Sequence, residues 1–202
     1  MLRKTEITDK QRRTIYSILL AGSLLGTLAS LVLSHEAIVL AREANAVLSC
    51  DLNSVVSCGA VARHASAYIF GIPNSFIGML AMPVFVTIAV AGISGTIFPR
   101  WFLKAAQLGA IFSLLCLGWM FYMSYVVIGA LCPWCLVMDV AFLLIVYALI
   151  RYNALTDNLC TKGRVEVFIK NIVQKNYDAF IFLSIAVLAI SAIILKYGSQ
   201  LF

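Results

Sequence analysis

Residues 132–150 read CPWCLVMDVAFLLIVYALI, an apolar stretch with one charged residue, Asp139, and two cysteines at its front. A helix of about 20 apolar residues crosses the hydrocarbon core of a bilayer. The stretch therefore predicts a transmembrane helix whose mouth carries Cys132-Pro133-Trp134-Cys135. Two residues between cysteines keep the sulfurs close enough to bond and to part again, which makes such a pair a redox unit. Four further runs, near 14–34, 76–98, 105–129 and 178–197, are long enough to cross as well. The sequence thus predicts an all-α integral membrane protein with five spans. Gly22, Gly26, Pro83, Gly92, Gly109 and Gly118 lie within these runs, as small and helix-bending residues do in membrane helices.

Composition agrees with lipid as the solvent. Of the 202 residues 62% are hydrophobic and 12% charged, with mean hydropathy +0.98, whereas soluble domains carry about 25% charged residues. The net charge of +6 does not mark a nucleic-acid binder, because the cations flank the apolar runs instead of lining one polar face. The first run follows Arg3, Lys4, Lys10, Arg12 and Arg13 but is too long for a signal-peptide core, so it reads as a retained helix.

The cations also set an expected topology. Twelve of the 15 Lys and Arg residues fall in the tail 1–13, the 99–104 turn and the 151–177 loop, on one side of the predicted spans. Cytoplasmic flanks are the basic ones, which predicts a cytoplasmic N-terminus and an external C-terminus. The loop 35–74 and the turn 129–131 are then external and carry two cysteine pairs, Cys50/Cys58 and Cys132/Cys135. Disulfides persist in that compartment. Within the loop, 36–48 is expected to prolong the first helix and 60–70 to form a short amphipathic helix ended by Gly71 and Pro73.

Disulfide transfer proceeds by thiolate attack and needs an accessible sulfur and a good leaving thiol. Cys132 is expected at the N-terminus of the fourth span with Pro133 in its first turn, where a missing N–H costs nothing. Helix N-termini stabilise thiolates. Cys135 then sits one turn deeper, so an outer sulfur meets a protein disulfide and an inner one a lipid-soluble oxidant. The competing readings are a structural disulfide and a zinc site. Zinc is disfavoured, because the C-x7-C spacing of Cys50 and Cys58 lacks the paired C-x-x-C of structural zinc and only His35 and His64 are near in sequence. No metal is expected.

The ordered set Cys50-Asp51, Ser57-Cys58, Phe70-Gly71-Ile72-Pro73-Asn74-Ser75-Phe76-Ile77-Gly78 and Cys132-Pro133-Trp134-Cys135 resembles the vitamin K epoxide reductase family, and most closely its bacterial, disulfide-forming branch. The resemblance covers 14–150 and implies a four-helix catalytic bundle around a quinone (menaquinone or ubiquinone), capped by the cysteine loop, with the fifth helix at 178–202 beyond the cytoplasmic loop 151–177. It implies that Cys50 takes electrons from a reduced partner, that Cys58 resolves and bonds transiently to Cys132, and that Cys135 passes electrons to the quinone. Asn74 matches the amide that hydrogen-bonds a quinone carbonyl; read by itself, it is equally a helix N-cap.

Two positions depart from the family pattern. His64 stands where many relatives have Ser or Thr, and Asp139 where the vertebrate enzymes have a second quinone contact, Tyr. A carboxylate there costs about 2.5–3.5 kcal/mol in lipid, so it is expected to face inward, as a proton relay to the quinone or as a cap for a buried donor. Cys116 and Cys160 are read as a packing residue and a reduced thiol, and the aromatics Trp119, Phe121, Tyr122 and Tyr125 as core or interface anchors. Some bacterial relatives carry a fused thioredoxin-like domain after the fifth helix. Here the chain ends at Phe202, so the expected partner is a separate DsbA-type thioredoxin-fold protein outside the cytoplasmic membrane of a bacterium. The rival functions are quinone or quinone-epoxide reduction by the same cysteines, and a non-catalytic membrane protein stapled by disulfides.

Overall fold

Each of the five apolar runs folds as a helix in the computed structural model, which describes residues 7–69, 71–159 and 163–201. Arg3, Lys4, Phe70, Cys160, Lys162 and Phe202 lie outside the described residues. Helix α1 spans Asp9–Arg42, opened by Thr8, whose hydroxyl accepts the Gln11 N–H at 3.3 Å. Its 34 residues rise about 50 Å, more than the hydrocarbon core, so its last turns stand clear of the apolar layer. The predicted prolongation of the first span therefore holds as far as Arg42; residues 43–48 leave the helix.

Four more long helices follow: α3 (Asn74–Ile93), α4 (Arg100–Tyr122), α5 (Pro133–Leu155) and α7 (Tyr177–Leu201). All five are long and apolar enough to cross a membrane. Their outer faces expose Leu80, Phe112, Leu115, Leu188 and Leu195, which water would not tolerate in such number and lipid does. The chain is a multi-pass, all-α membrane protein.

The packing runs in a row. Helix α1 packs against both α3 and α5, and α4 packs against α5. Close approach comes from missing side chains: a Cβ on Gly22 would lie 2.9 Å from the Ala141 carbonyl oxygen and 3.0 Å from Leu144 Cβ. The obstacle is helix backbone, which cannot swing away as a side-chain tip does. Gly22→Ala is therefore expected to force α1 off α5 and to cost about 1–3 kcal/mol, read as a lower unfolding midpoint in detergent. At one end of the row α4 and α5 are joined by buried amides, Asn153 donating to Gln107 Oε1 at 2.6 Å and Asn158 to Asn153 Oδ1 at 3.1 Å.

The segment 151–177, expected to be a loop, contains α6 (Arg164–Gln174), whose Ile169 and Val173 pack into the core. Arg151 and Asp178 pair at 2.6 Å and tie the end of α5 to the start of α7. The expected amphipathic helix over 60–70 is also replaced. The chain makes a short α2 (Cys58–Ala62), a 3₁₀ turn at Ala65–Ala67 and a two-residue hairpin, β1 (Tyr68–Ile69) with β2 (Ile72–Pro73). Gly71 turns that hairpin at φ 76°, a conformation only glycine adopts without penalty.

Candidate redox site

The two cysteine pairs gather at the opposite end of the molecule from Arg151. Cys50 and Cys58 are joined by a disulfide, with Cα atoms 5.6 Å apart. Asp51 organises the segment around it. Its carboxylate accepts the Leu48 N–H at 2.9 Å, the Gly59 N–H at 2.8 Å and the Ser57 hydroxyl at 2.7 Å. Ser57 in turn caps α2 by accepting the Ala60 N–H at 3.0 Å. Burial works against charge on Asp51, but these donors and the Arg63 guanidinium outweigh it and hold the carboxyl below its ordinary range. A carboxylate with a lowered folded-state value stabilises at pH above the ordinary carboxylate range, and that stability is lost as pH falls through the lowered value. Acid is therefore expected to loosen the cysteine loop, seen as faster proteolysis there, and Asp51→Asn to give the loosened loop at neutral pH.

The second pair is placed by how α4 ends and α5 begins. Helix α4 continues into a π-turn, Met123–Ile128, closed by Gly129 at φ 74°. Cys132 is then the N-cap of α5 and Pro133 its first residue, as expected. The Cys132 sulfur accepts the Cys135 N–H at 3.2 Å, and the two sulfurs lie 2.6 Å apart as free thiols. That separation is about half an ångström from a bond.

The two pairs meet. Leu131 donates its N–H to the Val55 carbonyl at 2.6 Å and accepts the Ser57 N–H at 3.0 Å. This parallel bridge of Val56 with Leu131 stitches the residue before Cys58 to the residue before Cys132. Cys50, Cys58 and Cys132 form one buried apolar cluster with Leu40, Leu48 and Val61, and Cys135 packs against it. Cys50 is 8% exposed against 1% for Cys58 and 2% for Cys132, so it is the outermost of the three. Cys116 stands apart, half-buried on α4.

Cys135 opens onto a pocket between α3 and α4, where the row of helices would close on itself. It is lined by Leu33, Leu117, Met120, Phe121, Leu136 and Met138, with Asn74, Ser75 and Asp139 as its polar members beside Ser124 and the two thiols. Asn74 is not a cap: Pro73 precedes α3 without a side-chain capping bond. The Asn74 amide instead donates to the Ser66 carbonyl at 2.9 Å and faces the Met120 sulfur at 3.2 Å, while its Oδ1 is buried without a partner among the described residues. His64 supports that contact from behind, its Nδ1 lying 2.8 Å from the Ser66 hydroxyl. Phe121, expected as a core or interface anchor, lines the pocket, whereas Trp119 and Tyr122 face outward.

A family model, the vitamin K epoxide reductase family, matches residues 17–150. The chain belongs to that family. No curated protein matched the chain. Family membership and the disulfide between Cys50 and Cys58 fit a redox role, and the family is generally quinone-linked. The matched segment ends within α5, so α6 and α7 lie beyond it.

One buried group at the site was missed in the sequence. Glu36, near the end of α1, is 4% exposed and lies against Cys50. A single acid beside a histidine in a helical stretch carries no motif, and only the fold brings it to the disulfide.

Proposed function

We propose that this protein is a membrane oxidoreductase that makes disulfides, carrying two electrons from a reduced extracytoplasmic thioredoxin-fold protein through Cys50/Cys58 to Cys132/Cys135 and on to a quinone. The observation that carries this reading is the stitch between Ser57 and Leu131, which holds the two cysteine pairs in one buried cluster with Cys135 at the mouth of an apolar pocket.

The partner's thiolate attacks Cys50, the more exposed sulfur of the loop disulfide, and Cys58 leaves. The partner's second thiol then releases the partner as a disulfide, and both loop cysteines are left reduced. Cys58 attacks Cys132 of an oxidised Cys132–Cys135 pair and Cys135 leaves. Cys50 attacks Cys58, freeing Cys132 as a thiolate that the Cys135 N–H receives. Each exchange breaks one S–S bond and forms one, so two electrons move inward per cycle.

The pocket suits a quinone: an apolar slot for a ring, with the Met120-facing N–H and the unpartnered oxygen of Asn74 at one place and Asp139 one turn below Cys135. When bound, the quinone accepts two electrons and two protons. Asn74 orients the ring and Asp139 holds a proton beside it. The basic flanks support a cytoplasmic N-terminus with the cysteines outside, and the proposed setting is the cytoplasmic membrane of a bacterium.

The test is quinone reduction by the purified full chain supplied with dithiothreitol and a short-chain benzoquinone. Turnover is expected with the wild-type chain and a loss of about 10³-fold or more with any of the four cysteines changed to Ala. Equal rates with and without the protein would exclude the reading. Asn74→Leu is expected to raise the KM for the benzoquinone about tenfold, the worth of one hydrogen bond of about 1.4 kcal/mol, with kcat for the dithiol half-reaction unchanged.

A further inference from the structure

Glu36 is the one buried carboxylate in contact with a cysteine sulfur among the described residues. Its Oε1 lies 3.0 Å from Cys50 Sγ and accepts the Ser49 hydroxyl at 3.1 Å, and its Oε2 is buried without a hydrogen-bond partner. A buried carboxylate without full pairing is costly, and two electron-rich atoms in contact gain nothing while Cys50 is a disulfide. The arrangement becomes favourable when a proton lies between them. That condition is met whenever Cys50 is reduced, because a thiol then donates to Oε1 or a carboxylic acid donates to a thiolate.

We infer that Glu36 is the proton carrier of Cys50, and this rests on the proposed disulfide exchange. When the partner's second thiolate attacks the mixed disulfide, the bond between the partner's sulfur and Cys50 breaks, and Cys50 leaves with the electron pair and takes the proton from Glu36. When Cys50 later attacks Cys58 in the Cys58–Cys132 disulfide, its proton returns to Glu36, the Cys50–Cys58 bond forms and Cys132 leaves as thiolate. Over one cycle Glu36 gives one proton and regains one. Electrons pass only between sulfurs.

The other ionisable groups that face Glu36 are His35 on its own helix, Asp51 in the loop and Cys135 on α5. Asp51 is already committed to Leu48, Ser57 and Gly59, and none of the three hydrogen-bonds Cys50 among the described residues. Glu36 alone has the contact that proton transfer requires.

The decisive experiment compares wild type, Glu36→Gln and Glu36→Asp in the full chain, with dithiothreitol as electron source and a short-chain benzoquinone as acceptor, between pH 5.5 and 9. Glu36→Gln keeps the shape and the Ser49 bond but cannot carry a proton. It is expected to lose about 10²-fold in kcat near neutral pH. The deficit should shrink as pH rises and solvent base takes the Cys50 proton in place of Glu36, with the KM for benzoquinone unchanged; Glu36→Asp should restore part of the rate and the wild-type pH profile. A Glu36→Gln profile parallel to wild type at every pH, at equal or uniformly lower rate, overturns the inference.

A second measurement holds if that variant does not fold. In the Cys58→Ser chain, iodoacetamide labelling of Cys50 against pH, read on the tryptic peptide 43–63, is expected to titrate in two steps, as coupled groups do. A single step overturns the inference. That readout needs no quinone, so failure of wild-type turnover alone would count against the proposed function and not against the pairing of Glu36 with Cys50.

Discussion

Cys135→Ala in the full chain is expected to reduce dithiol-dependent quinone reduction by about 10³-fold or more, since it removes a member of a unit that acts together. The same change, with iodoacetamide present, should trap a covalent species. Cys132 remains the N-cap of α5, its sulfur held by the residue-135 N–H, and the Ser57–Leu131 bridge keeps it beside Cys58. Its thiolate attacks Cys58, Cys50 leaves, and a Cys58–Cys132 disulfide forms; Cys50 is the thiol that would reverse it, so iodoacetamide that alkylates the freed Cys50 fixes the bond. Mass spectrometry after trypsin should find peptide 43–63 linked to peptide 105–151. Cys116→Ala, a half-buried residue of α4 away from the cluster, should stay within twofold of wild type. Full turnover by Cys135→Ala would remove Cys135 as the terminal donor, and absence of the linked peptides would mean that Cys58 and Cys132 do not exchange.

The cysteines and the spans were legible because each depends on local sequence alone. An apolar run of about 20 residues has few alternatives to crossing a bilayer, and Cys132-Pro133 at its front is a helix start by the chemistry of proline. Residues 60–70 were misread because composition does not reveal what holds a loop. There Asp51 draws in the Gly59 N–H, a Cβ on Gly59 would lie 2.6 Å from Asp51 Oδ2, and the His64 ring accepts the Ser66 N–H. Those long-range and capping bonds cut a continuous helix into a short helix, a turn and a hairpin. Helix α6 was hidden by its charge: Arg164, Glu166 and Lys170 make 164–174 look like a solvated loop, although Ile169 and Val173 fall on a buried face and Lys170 pairs with Glu166 and with Asp157 at 2.7 Å. Phe121 and Glu36 could not be found at all by pattern. Four aromatics share the end of α4 and the π-turn that follows, and only the packing shows which one turns to the pocket.

Helix α7 lies outside the family-matched segment, yet its far end braces the turn that carries Cys132, and breaking that brace is expected to cost about 10²-fold in turnover. The π-turn at Met123–Ile128 leaves the Tyr125 carbonyl outside the helical ladder, and α7 supplies its donors. Lys196 Nζ donates to it, and Tyr197 Oη donates at 3.0 Å. Tyr125 returns its own hydroxyl to the Ala192 carbonyl at 3.0 Å, and the Lys196 ammonium sits 4.3 Å from the centre of the Tyr125 ring. Tyr197 also packs with Val55 and Leu131, the two residues whose backbones form the stitch between the cysteine pairs. A displacement of about 1 Å between reacting atoms can cost 10²-fold in rate, and here the moving part is the strand of the exchange that holds Cys132. The double change Lys196→Met, Tyr197→Phe keeps the bulk and removes both donors. It should lower kcat with dithiothreitol and benzoquinone by that factor, leave the KM for benzoquinone near the wild-type value, and slow the appearance of the Cys58–Cys132 species when combined with Cys135→Ala. Wild-type kcat in the double variant would mean that the stitch holds the turn without help from α7.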